Sequence, residues 1–196
     1  MTSLRIYPIA FLTGFAGMGN ELLGLRLFAP HYGSSIYVVG AIIAVFLAGM
    51  SCGYGLGGRL AARRRTLPWL RRLLGAGALL LVILPLYGDL LCRLVAGIVP
   101  EPRTGALLAA TLLFFGPCLL LGATLPLQVR LLGHTPERAA SAAGNVYACS
   151  TIGSIAGTLF TSFWLIAWIG TAGGMTLYGI VVAVAWLIST FREREF

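Results

Sequence analysis

The residues of this chain that are able to do chemistry stand out because they are charged or amide groups inside an apolar run. Asn20, Glu21 and Arg26 fall within or at the rim of the first hydrophobic stretch. An ionised side chain in hydrocarbon costs at least about 2.5–3.5 kcal/mol, so such groups turn inward and find partners. Five residues apart on a helix, Glu21 and Arg26 point about 140° away from each other, which makes them a poor intrahelical pair. Each is therefore expected to reach another helix, with Gln128 on the fourth stretch and Asn145, Tyr147, Ser150 and Thr151 on the fifth as available partners. Asn20, Glu21, Arg26, Gln128, Asn145 and Tyr147 form the candidate polar cluster for a substrate or partner. A purely structural polar clamp is the competing reading.

Two signatures of soluble enzymes fail on context. Gly53-Tyr54-Gly55-Leu56-Gly57-Gly58 fits G-x-G-x-x-G, yet it closes a hydrophobic helix, follows no strand and lacks a ribose-binding acid about 20 positions later. Gly49-Met50-Ser51-Cys52-Gly53 fits G-x-S-x-G without the strand-turn-helix setting, and neither His31 nor His134 has a route to Ser51. These glycines suit close helix packing instead: Gly49, Gly53 and Gly57 form one smooth stripe, Gly153 and Gly157 another. His134, Glu137 and Arg138 read as a solvated loop. The histidines and the cysteines Cys52, Cys92, Cys118 and Cys149 approach no metal-ligand spacing, and the cysteines read as small apolar packing residues. No cofactor, metal site or catalytic set is expected, and the chain is not expected to be catalytic on its own.

The elements that must position these residues are helices in a bilayer. Of 196 residues, 58% are hydrophobic and only 10% charged, with a mean hydropathy of +0.91. Too few polar residues remain to cover a soluble core. The fold expected is all-α: a polytopic membrane protein forming one six-helix transmembrane domain over residues 1–196. Its spans fall at about 6–28, 34–60, 73–88, 104–132, 138–168 and 171–191, with Ser34 or Ser35 as an N-cap for the second. The apolar run 67–98 would measure roughly 48 Å as one helix. A break is therefore expected near Pro85, leaving residues 89–98 as a short interfacial helix capped by Asp89. Arg5 precedes an apolar run as in a signal peptide, but Asn20 and Glu21 interrupt it and no cleavage site follows, so a retained first helix is expected.

The formal net charge of +8 comes from arginine and, in a soluble protein, would point to nucleic acid. Here the arginines sit at span ends: Arg5, Arg59, Arg63, Arg64, Arg65, Arg71, Arg72, Arg130, Arg138, Arg192 and Arg194 on one side, Arg93 and Arg103 on the other, with Arg26 near the second side. That asymmetry marks the cytoplasmic face, so both termini are expected inside a cell (inner) membrane and no nucleic-acid partner is expected. Shifting the chain by 104 positions aligns Phe11 with Phe115, Arg26 with Arg130, Gly40 with Gly144, Gly49 with Gly153 and Gly53 with Gly157. A 3+3 duplication follows as an expectation, and because three is odd the halves would be inverted in the membrane.

The stretch from Gly14 to Ala61 resembles the opening helices of the membrane-bound spermidine-synthase-like proteins, the fused major-facilitator/spermidine synthases. The matching positions are Glu21, Arg26 and Leu27, Gly33-Ser34-Ser35, and Gly57-Gly58-Arg59-Leu60-Ala61, followed later by Gly122-Ala123-Thr124-Leu125-Pro126-Leu127 and Gly144 to Gly153. Ser150 stands where the family pattern usually has Asn. The resemblance covers all six spans and implies the membrane half only, since no aminopropyltransferase-like α/β domain follows by Phe196. It implies a membrane subunit that anchors or assembles with other protein subunits, such as a separate cytoplasmic aminopropyltransferase-like protein. A small transporter or channel for a polar or cationic metabolite is the alternative expectation, and an enzyme acting within the bilayer is the least supported.

Overall fold

A computed structural model describes residues 3–63, 66–133 and 136–190. Arg64, Arg65, His134, the side chain of Glu137, Arg192 and Arg194 lie outside the described side chains. Every element among the described residues is helical: α1 Ser3–Tyr32, α2 Ile36–Ala61, α3 Thr66–Ile98, α4 Pro102–Leu132, α5 Pro136–Phe160 and α6 Ile166–Thr190. A π-helical turn, Thr161–Leu165, joins α5 to α6.

Four stretches are long and apolar enough to cross a membrane: Ile36–Ala61, Thr66–Ile98, Pro102–Leu132 and Arg138–Thr190. Six were expected. The fourth stretch, 53 residues long, would run roughly 80 Å if straight. It is divided at Gly170, whose φ of 69° and ψ of −173° lie in a region open essentially to glycine alone. The first expected span, in α1, does not qualify, its apolar run being diluted by Asn20, Glu21, Arg26 and four glycines. Large apolar side chains face outward along the rods, among them Leu47, Leu86, Phe163 and Trp168. An exterior of this kind suits a lipid solvent.

The break expected in the 67–98 run is absent, and α3 continues from Thr66 to Ile98. Pro85 removes one backbone donor, a local loss that the flanking turns tolerate. Asp89 opens no new helix. It pairs with Arg93 one turn further on, and that i,i+4 contact supports a continuing helix. Likewise Ala29-Pro30 does not stop α1, which ends at Gly33, where φ is 76° and the N–H donates to the Ala29 carbonyl. Ser35 occupies the N-cap position of α2 without a side-chain capping bond.

Three seams hold the rods together. Gly153 and Gly157 of α5 lie against the carbonyls of Phe11 and Phe15 of α1, so these two helices run parallel. Gly49 and Gly53 of α2 lie against the carbonyls of Phe115 and Leu119 of α4, also parallel, and Gly57 follows against Ala123. In the third seam α3 and α6 run antiparallel, with Gly75 on Trp186 and Gly179 on Val82. At the first two seams a Cβ would collide with backbone, which explains why glycine recurs every fourth residue there. Outside the seams, Phe28, Phe46 and Phe114 stack between α1, α2 and α4 in the main core.

Candidate functional site

The six residues of the expected polar cluster do not gather in one place. Asn20 is buried, and its amide donates to the Ala16 carbonyl of its own helix, leaving Oδ1 without a partner. Gln128 is fully buried and donates to Thr124 Oγ1 one turn earlier, with Oε1 likewise unpartnered. Asn145 and Tyr147 are exposed on α5, Tyr147 within electrostatic reach of Tyr54 of α2. Glu21 is half-buried, within electrostatic reach of the Cys118 thiol, and Arg26 is exposed near the Tyr32 end of α1. What α1 spreads along its length is thus one carboxylate near mid-bundle and one guanidinium near an end.

Mid-bundle, α1, α2, α4 and α5 border a small opening of about 40 Å³. Its wall is made by Gly14, Gly17, Met18, Phe46, Met50, Cys118 and Leu121, with the hydroxyls of Thr13, Ser150 and Ser154. Two of those hydroxyls are committed to backbone: Thr13 donates to the Ile9 and Ala10 carbonyls, Ser154 to that of Ser150. Such a space offers sulfur, aromatic and glycine surface and no charge of its own.

At the Tyr32 end, Arg26 lines two clefts, one on each side of α1. The first, about 200 Å³, lies against Pro85 and Asp89 of α3 and Thr171 and Met175 of α6. The second, about 540 Å³, lies against Ser34 and Val39 at the start of α2 and Ser162 and Ile166 at the π turn. Nearby, His31 Nε2 sits 2.9 Å from Asp89 Oδ1, and Asp89 also holds Arg93. Tyr32 donates to the Cys92 carbonyl at 2.9 Å. Where α4 begins, Glu101 accepts from the Thr104 N–H at 2.7 Å and from its hydroxyl. Those bonds hold the Glu101 carboxyl below its ordinary range.

The π turn and its partner have no signal in the sequence. Tyr178 of α6 is fully buried, occupies the notch left by Gly19, packs edge-on against Phe15 and shares a hydrogen bond with Thr161 at the start of the π turn. A π turn widens the helix by one residue and often marks a functional position. Ser51 of the G-x-S-x-G stretch is exposed on α2, and no group of three metal-ligating side chains occurs among the described residues. Comparison with protein-family models, with curated proteins and with solved structures finds no match to this chain.

Proposed function

We propose that the chain is a small membrane carrier of six crossings, built as two inverted three-helix halves that rock about the mid-bundle opening, with both termini on the cytoplasmic side. One observation carries this reading: the close contacts of all three seams recur under a single shift of 104 residues. The contact of Gly49 with Phe115 has its counterpart in Gly153 with Phe11, and Gly53 with Leu119 in Gly157 with Phe15. The third seam follows the same rule, Gly75 with Trp186 matching Gly179 with Val82. A sequence match this sparse is weak in a chain so rich in Gly, Ala and Leu, but contacts made in register by two separate pairs of helices are not a composition effect.

The wall of the mid-bundle opening obeys the same rule. Gly14 and Cys118, Gly17 and Leu121, Phe46 and Ser150, and Met50 and Ser154 are each 104 apart and all line it. The opening therefore straddles the pseudo-two-fold axis, where carriers with inverted repeats bind their cargo. Its uncharged wall favours an apolar or amphipathic cargo body over the polar or cationic metabolite expected from the sequence.

Spin-label distances in liposomes test this. Labels at Val39 and Ser162 span the larger cleft of the Tyr32 end, and labels at Ala143 and Gly58 span the equivalent positions at the other end. Two exchanging populations are expected at each pair, long at one when short at the other. A single fixed distance at both pairs rejects the carrier.

A second reading keeps the chain as a membrane subunit for a separate aminopropyltransferase-like protein. It is favoured by the exposed Arg59, Arg63 and Arg72 at the end of the bundle where α1 starts, a basic face for an acidic partner, and by the family resemblance. Purification from native membranes with a stoichiometric soluble partner supports it, and a homogeneous chain without one counts against it.

A further inference from the structure

We propose that Arg26 and Arg130 are equivalent anion-binding positions, one at each end of the bundle, that hold the oxyanion headgroup of an amphiphilic ligand; this rests on the carrier reading. The two arginines are 104 residues apart and both are exposed. Among the described residues neither is engaged by an acid, a carbonyl or a ring. Every other charge near Arg26 is occupied or turned away. Asp89, across the smaller cleft, is held by His31 and Arg93, and Glu21 projects about 140° around the helix. Arg26 lies about 9 Å along α1 from Tyr32, below the helix end, where an uncompensated guanidinium is costly.

The larger cleft supplies what such a charge lacks. Ser34 and Ser162 present hydroxyls there that make no hydrogen bond among the described residues, while Leu22, Leu25, Val39 and Ile166 give the wall an apolar face. An oxyanion on Arg26, with hydroxyl donors beside it and an alkyl chain along the wall, matches that arrangement. Charge complementarity thus selects an anionic amphiphile, such as a phospholipid, over a neutral or cationic one.

Ala29 lines this cleft, whereas its counterpart Gly133 is buried, and a Cβ there would stand 2.5 Å from the Ala139 Cα. On the carrier reading the end at Arg26 is the open one. Exchanging the conformations of the two halves opens the second site and closes the first, so the headgroup is offered an arginine on either face in turn.

The test uses the full chain, labelled at Gly40 and Phe163, exposed positions beside the cleft that do not line it, in nanodiscs of phosphatidylcholine with or without a minor fraction of phosphatidylglycerol. With phosphatidylglycerol present, Arg26→Gln is expected to shift the labels toward the short distance and Arg130→Gln toward the long one, each by about tenfold in the population ratio. In pure phosphatidylcholine both variants should match the unsubstituted chain, and Arg72→Gln, which lines neither cleft, should match it in either lipid. Shifts in the same direction, or shifts that ignore phosphatidylglycerol, overturn the proposal. Inorganic phosphate reproducing the shifts while phosphatidylglycerol does not overturns the amphiphile. Should the labels never exchange, the carrier reading fails by itself, and the Arg26 site is then judged by native mass spectrometry: the chain should retain phosphatidylglycerol over phosphatidylcholine and lose that preference in Arg26→Gln. Equal retention of the two lipids overturns it.

Discussion

Replacing Gly53 by Ala adds one methyl group at a place where the structure has no room for it. The new Cβ would stand 2.9 Å from the Ala123 nitrogen and 3.1 Å from the Gly122 Cα, and closer still to the Leu119 carbonyl. All three are backbone, so no side chain can swing aside, and α2 must move from α4 by roughly an ångström to recover ordinary contact. Overpacking of this kind costs about 1–3 kcal/mol, against a helix-propensity gain of about 1 kcal/mol for Ala over Gly. A net loss of up to about 2 kcal/mol is expected. Gly157→Ala meets the Phe15 backbone in the same way and should lose a similar amount. Gly55 and Gly58, in the same glycine-rich stretch, have nothing within 4 Å, so Ala there should be neutral or gain up to about 1 kcal/mol. Reversible unfolding in mixed detergent–SDS micelles, followed by far-UV circular dichroism, reads all four. Equal stability of Gly53→Ala and Gly55→Ala would refute the seam, and a Gly157→Ala variant that behaves like Gly55→Ala would refute its equivalence to Gly53.

Three further outcomes are expected. Gly170→Ala should destabilise the chain by about 1–3 kcal/mol in the same assay, because its φ of 69° with ψ near 180° excludes a side chain although nothing crowds the position. Tyr178→Phe should cost about 1 kcal/mol through the lost bond to Thr161, and Tyr178→Ala about 3–5 kcal/mol as a fully buried ring is removed. The depressed Glu101 carboxyl supplies a stabilising cap while ionised. That contribution is present above the unfolded-state carboxyl pKa and is lost as pH falls through the lower folded-state value. Protection of the Thr104 amide relative to its intrinsic exchange rate should fall on acidification below the usual carboxylate range, and Glu101→Gln should remove that change in protection.

The length of the apolar runs made the all-helical class legible: helices and closed β-barrels both satisfy backbone polar groups in an apolar solvent, but a barrel strand needs only about ten residues where a helix needs about twenty. The glycine stripes were legible for a similar reason: spacing by four puts small residues on one side of a rod wherever that rod ends up. What the sequence could not convey was which side faced what. Asn145 and Tyr147 share α5 with Gly153 and Gly157, and the seam that turns the glycines toward α1 leaves both polar residues exposed. In α3, Pro85 and Asp89 are both local signals for a break, yet the helix runs on to Ile98 with Asp89 paired to Arg93 one turn further and to His31 of α1. Arg26 shows the converse. Its charge is conspicuous in the sequence, but packing leaves it exposed between two clefts, without a partner among the described residues.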